Sequence, residues 1–232
     1  MEYVALDLET TGLDPDRDRV IETGAVRFGL GGVTETLERL ADPGRSVPEA
    51  VLKLTGISSA ELAGAPTSEV ALQELATFIS SHQPVGHGAT LDVDFLAAAG
   101  LWPEGAEIID TLHVARILLP NSPSHSLPLL AVELGLEQPR PHRALDDADA
   151  TRQLFLRLRE EASVLDEPLK QAILALVAPY GWAIARFFAE ALTAPATELP
   201  VRPRVAASGA HATPRRPRPA RGRMGAGSRD AG

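Results

Sequence analysis

The sequence predicts an α/β fold, a mixed sheet with helices on its faces, plus a short helical extension and a disordered tail. Three observations carry this: strand-like runs joined by a Gly-rich turn near the N-terminus, strand–helix alternation after them, and a composition shift beyond residue 195. Tyr3 to Leu8 is a short apolar run that leads into acids. Arg19–Phe28 and Val33–Leu40 flank Gly29-Leu30-Gly31-Gly32 and read as a hairpin. Helical patterns follow at Pro48–Leu54 and Thr67–Ser80, the second opening on a Thr cap with Glu69 in its first turn. Pro84–His87 reads as a strand, Leu91–Ala99 as a helix and Glu107–Asp110 as a strand. Thr111–Leu119, Leu127–Leu134 and Arg143–Glu161 read as helices. The domain is expected over 1–162. A helical extension over 163–195 is expected to break at Pro179-Tyr180-Gly181. Its apolar residues, among them Leu169, Ile173, Leu176, Trp182, Phe187 and Phe188, either pack back onto the domain or form a docking surface. Residues 196–232, rich in Pro, Ala, Gly and Arg, hold too little bulky apolar surface to fold alone.

Composition removes several function classes. A chain of 232 residues can bury a sizeable core without staples. With no cysteine, disulfide frameworks, thiolate zinc sites, cysteine nucleophiles and redox dithiols are excluded. The N-terminal MEYVALDLE lacks a basic-then-apolar stretch, and the longest uncharged run, Ala172–Ala185, is interrupted by Pro179 and Gly181. A soluble cytoplasmic, nucleoid-associated protein with no membrane contact is the expectation. Charge is divided. Residues 201–232 carry eight arginines against Asp230, net +7, so the chain total of −9 leaves −16 on residues 1–200. Such a body repels nucleic acid unless cations invert the local field.

The chemistry lies in acids at predicted strand and helix ends. Asp7 and Glu9, two apart in VALDLETTGL, share one face of a strand. Paired like charges there are unfavourable unless a hard divalent cation lies between them. In GHGATLDVDFL, Asp92 and Asp94 lie about 200° apart on a helix, so one of them faces the site. PHRALDDADATRQLF adds His142, Asp146, Asp147 and Asp149; first-turn carboxylates also complement a helix dipole, which accounts for Asp146 and Asp149.

DLETTGL, then H-x4-D-x2-FL from His87, then H-x4-D from His142 resemble, in this order, the three motifs of the DnaQ-like (DEDDh) 3′–5′ exonucleases. That family includes bacterial proofreading epsilon subunits and exonuclease domains joined to polymerases and helicases. LTGISSAELAGAP, DTLHVARILLP and SLPLLAVELGL also look like the family, and the resemblance covers about residues 2–160. It implies a ribonuclease-H-like fold with a five-stranded mixed sheet. It further implies metal-binding carboxylates at Asp7, Glu9, Asp92 and Asp147, a general base at His142, and two Mg²⁺ or Mn²⁺ ions. Asp92 is preferred to Asp94 because it stands four before Leu96. The chain departs from the family in having Gly88 where Asn often follows the histidine, and Leu91 in place of a common aromatic; both bear on substrate affinity rather than on the metal site.

Thr10, Thr11 and Leu13 match positions where the family contacts the terminal nucleotide, and His87 is a candidate to hydrogen-bond the substrate. The alternatives are turn chemistry for the first three and a packed histidine for His87. His82, His113 and His125 have no acid constellation. Gln153-Leu154-Phe155 is similar to a sliding-clamp peptide but lies on a predicted core face. GLGG has no helix after it and is not a phosphate cradle. The implied function is 3′–5′ hydrolysis of single-stranded DNA ends in repair or proofreading. The rivals are a 3′–5′ exoribonuclease and a non-catalytic accessory of a polymerase or helicase docked through 163–195. A non-catalytic module would have lost a carboxylate or the histidine, and all five are present.

Overall fold

The computed structural model describes residues 2–103, 105–180 and 183–193. Five strands, β1 (Tyr3–Thr10), β2 (Val20–Gly29), β3 (Gly32–Leu40), β4 (Gln83–Gly86) and β5 (Ile109–Asp110), form one sheet of order β3-β2-β1-β4-β5. The first three pair antiparallel, while β4 runs parallel to β1 and β5 parallel to β4. The sheet is therefore mixed, as the sequence predicts, and Leu30-Gly31 makes the hairpin turn between β2 and β3.

Helices α1 (Glu49–Thr55), α2 (Ser59–Leu62) and α3 (Ser68–Ile79) follow the hairpin, and α4 (Thr90–Ala98) follows β4. Then come α5 (Thr111–Leu118), α6 (Leu127–Leu134), α7 (Ala144–Ser163), α8 (Glu167–Val177) and α9 (Ala183–Thr193). The short α2 is absent from the sequence expectation, although Ser58 and Glu61 form a reciprocal capping box at its start. The second half of the predicted Glu107–Asp110 strand is all that pairs as β5.

Alternation along β1 builds two cores. Val4, Leu6 and Leu8 face α3 and α4, against Leu72, Leu75, Phe95 and Leu96. Tyr3 and Ala5 face the other side, where α5, α6, α7 and α9 cover the sheet. On that side Tyr3, Phe28, Phe155, Phe187 and Phe188 form a chain of rings with centroids 4.7–5.6 Å apart. Leu154 and Phe155 are wholly buried, so the clamp-like tripeptide is core.

Phe187 and Phe188 of α9 are also wholly buried, and Glu190 accepts a hydrogen bond from the Tyr3 hydroxyl. At about 1.5–3 kcal/mol per buried phenylalanine, these two side chains fasten α9 to the domain. Of the two alternatives for 163–195, packing back is what α9 does. On α8, Leu169 and Leu176 remain exposed. The predicted break falls at a 3₁₀ turn, Ala178–Tyr180; Gly181, Trp182 and the predicted tail over 196–232 lie outside the described residues.

Candidate active site

On the α7 side of β1, the residues after Tyr3 and Ala5 are Asp7 and Glu9, as period-2 alternation requires. Their register partners on β2 are Gly24 and Glu22. A Cβ on Gly24 would stand 2.1 Å from the carbonyl carbon of Ala144 and 2.2 Å from the nitrogen of Leu145. Only glycine lets the first turn of α7 lie this close to the sheet. That turn places Asp147 above Asp7 and Glu9.

Asp147 is held at both oxygens. Oδ1 accepts from Gln138 Nε2 at 2.7 Å, and Oδ2 accepts from the amide of His142 at 3.2 Å. His142 has φ +66°, an uncommon conformation for a side-chain-bearing residue. Gln153 of α7 clips the same loop by pairing both its amide groups with the backbone of Glu137, at 3.0 and 2.9 Å. The result brings one ligand atom each of Glu9, His142 and Asp147 within 4.8 Å of one another. Asp92 arrives from the opposite direction. β4 pairs with β1 only as far as Ala5, and beyond it Asp92 Oδ1 accepts from the Leu8 amide at 2.8 Å.

The four carboxylates are crowded. Burial and the charges of Asp92, Asp147, Glu9 and Glu22 hold Asp7 well above the usual carboxylate range. Glu9 is pushed up to about 8 by burial and by Asp147, Glu22 and Asp92. Burial pushes Asp92 up to about 7 even though the Leu8 amide opposes it. Asp147 is raised as well, chiefly by burial. An array of oxygen donors that disfavours its own ionisation is chemically matched to a hard divalent cation, which supplies the missing positive charge. The nearby cation, Arg143, is engaged by Glu22 and Glu38.

The RNase_T exonuclease family model matches residues 4–155. The chain belongs to the DnaQ-like (DEDDh) exonuclease family. It is 37% identical over 163 residues to the DNA polymerase III subunit epsilon of Aquifex aeolicus, covering 68% of this chain and 81% of that protein. It is 36% identical over 169 residues to the PolC-type DNA polymerase III of Halalkalibacterium halodurans, covering 71% of this chain but 12% of that one. Among solved structures, the nuclease domain of 3′hExo, a DEDDh family member bound to rAMP, aligns at TM-score 0.61 and 17% identity over 71% of this chain and 94% of that one. This likeness supports the five-stranded fold expected from the motifs.

Of the family's five motif residues, Asp7, Glu9, Asp92, His142 and Asp147 gather where the C-terminal end of β1 meets α4 and α7. Asp94 is exposed, Asp146 pairs with Arg140 at 2.6 Å, and Asp149 pairs with Arg152 at 2.6 Å. The last two are thus ion-paired as well as placed in the early turns of α7. The residues expected to contact substrate divide. Thr10 donates to the Gly12 carbonyl, and Thr11, buried, donates to Asp18 and accepts from the Arg19 amide, which is turn chemistry. Leu13, 80% exposed, projects from that braced loop. His87 has both ring nitrogens occupied, by Thr111 Oγ1 and the His125 carbonyl, each at 2.9 Å, and burial lowers its pKa. Its environment is that of the packed alternative, because a substrate contact would have to displace one of these partners.

His82 and His125 bond to backbone carbonyls, and His113 lies 3.9 Å from Asp110; these three histidines stand apart from the carboxylate cluster. Sequence reading missed Glu22, Gln138 and Gln153. Glu22 is detectable in principle as a charge inside the otherwise apolar run RVIETGAVRF. The two glutamines carry no sequence signal, since their partners are set only by the loop's path.

Proposed function

We propose that this DEDDh family member is a metal-dependent 3′–5′ exonuclease that hydrolyses phosphodiester bonds at single-stranded DNA 3′ ends, in proofreading or repair. The observation that carries the reading is the convergence of Glu9, His142 and Asp147 beside two further acids, Asp7 and Asp92. Asp7, Glu9, Asp92 and Asp147 would hold two Mg²⁺ or Mn²⁺ ions, which supply charge neutralisation at the phosphate and a nucleophile near neutral pH.

The chain's own residues do the rest. His142 takes the proton of the attacking water, from a position fixed by its amide bond to Asp147. Gln138 and the Gln153 clip keep Asp147 and the His142 loop from swinging away. Leu13 supplies an apolar surface beside the site on which a terminal base can rest. A carboxylate cluster at the end of a sheet suits a frayed terminus better than internal duplex.

DNA is favoured by the likeness to polymerase III epsilon and PolC-type polymerases. The rAMP bound in the 3′hExo nuclease domain keeps a 3′–5′ exoribonuclease as the second reading, because the same hydrolytic groups serve either sugar and only a 2′-OH contact separates them. A polymerase or helicase partner on 163–195 would have to use α8, where Leu169 and Leu176 are exposed, since the apolar face of α9 is buried. Among the described residues no helix is long and apolar enough to cross a membrane. The test is time-resolved degradation of matched 3′- and 5′-labelled DNA and RNA oligonucleotides with Mg²⁺ or Mn²⁺. Mononucleotides released from the 3′ end of DNA are expected. Cleavage of circular single strands at a comparable rate would overturn the exonuclease assignment.

A further inference from the structure

Resting on that reading of the site, we propose that Glu22 and Arg143 form a strut that positions His142 and Asp147 over β1, and that Glu22 is not a metal ligand. Glu22 stands directly across the β1–β2 pair from Glu9, on the same face, where a free carboxylate would be a further anionic donor. Its oxygens are otherwise occupied. Oε1 accepts from Arg143 Nη2 at 2.7 Å and from Nε at 3.1 Å, and Oε2 accepts from Nε at 3.1 Å and from the Ala144 amide at 2.9 Å. The side chain is fully buried.

The Ala144 amide is one of the unpartnered donors at the start of α7, and Arg143 in the N-cap position provides no side-chain cap. Glu22 thus caps the helix from another element, and a carboxylate there also complements the helix dipole. Two residues on, Gly24 leaves room for the same turn. One face of β2 therefore both holds α7 and makes space for it. His142 immediately precedes Arg143, and its amide is bonded to Asp147. A displacement of the Arg143–Ala144 backbone would move the proposed base and a proposed metal ligand together. A misplacement of about 1 Å costs on the order of 10²-fold in rate.

The test compares the full-length wild type with Glu22→Gln, Arg143→Gln and the double variant. Glu22→Gln keeps an acceptor for Ala144 but turns an amide donor toward the guanidinium. Its kcat on a 3′-labelled oligonucleotide should fall roughly 10–100-fold with KM within about 3-fold of wild type, and any loss of Mn²⁺ affinity through Asp147 should be matched in Arg143→Gln. The double variant should be no slower than the worse single variant, because the pair acts as a unit. The ¹⁵N resonances of the His142 ring should shift in both single variants while those of His82 do not. Mn²⁺ affinity falling in Glu22→Gln but not in Arg143→Gln would make Glu22 a ligand. A lowered melting temperature with unchanged kcat would make the pair merely structural. Either result overturns the proposal. If Glu22→Gln does not fold, Glu22→Asp retracts the carboxylate by one methylene and should show the same loss of kcat. An inactive wild type would sink the exonuclease reading; the His142 resonances and Mn²⁺ affinities would still decide on the strut.

Discussion

Loading the site with Mn²⁺ should release more than one proton. At pH 7 Glu9, pushed up to about 8, is roughly nine-tenths protonated, and Asp92, at about 7, is roughly half protonated. Asp7 lies well above the usual range because it is buried among Asp92, Asp147, Glu9 and Glu22. Glu9 and Asp92 together hold more than one proton when no cation is present, and carboxylates must be ionised to ligate. Calorimetric titration of Mn²⁺ at pH 7 in buffers of different ionisation enthalpy measures the number directly. The observed enthalpy plotted against buffer enthalpy should have a slope above one proton per saturated site. At pH 9 the slope should fall well below this, and the apparent affinity should rise between the two pH values. A slope near zero at pH 7 would show that the acids are already ionised. It would refute the claim that mutual repulsion in a buried cluster is what the cation relieves.

The same groups set the pH dependence of the metal-free fold. Because Glu9 and Asp92 have pKa values raised by folding, the native state binds more protons than the unfolded state between about pH 4 and 8, and stability should decline as pH rises through that window; melting temperatures with and without saturating Mn²⁺ check this, the metal abolishing the decline. His142→Ala should cost roughly 10²–10⁴-fold in rate and leave Mn²⁺ affinity nearly intact; calorimetry showing affinity lost in parallel would make His142 a ligand. Gly24→Ala drives a methyl to within 2.1 Å of the α7 backbone and should destabilise by about 1–3 kcal/mol or more, read by urea denaturation, with activity lost alongside. Deleting residues 200–232 removes eight arginines; if about four meet phosphates, the log–log salt slope of single-strand binding should become shallower by roughly 3 units with turnover at saturation unchanged.

What the sequence reveals and what it hides follow from the range of the interactions. Asp7 and Glu9 are legible because a strand's period of two puts them on one face without knowledge of the partner strand. Helical geometry shows that only one of Asp92 and Asp94 faces the site, and the family motif says which. His142 and Asp147 are legible as a family motif but not from pattern, since the chain must pass Gln138, reverse at the His142 φ of +66° and enter α7 before the two meet. Glu22 shows as a charge in an apolar strand, but its role is hidden: its partners lie 121 and 122 residues away, and a lone acid in a strand looks the same whether it caps a helix or faces water. The amphipathic pattern of α9 shows an apolar face but not what covers it; Phe155, Phe28 and Tyr3 answer that only once the sheet is assembled.

The arrangement also explains why so acidic a body can keep its site folded. Two of the crowded carboxylates are tied to fixed donors that do not neutralise them: the Leu8 amide for Asp92, and the Gln138 side chain and His142 amide for Asp147. Fixed dipoles of this kind orient an acid and lower its pKa somewhat, yet Asp92 and Asp147 remain raised, so the donors do not replace a counter-ion. The full positive charge of Arg143 is turned toward Glu22 and Glu38, where it anchors α7. Had it been turned toward Asp7 and Glu9 instead, their pKa values would fall and the cluster would be satisfied without a cation. By keeping its arginine one strand away from the cluster, the fold stays stable enough to hold the acids in register while leaving their charge for a divalent ion to balance.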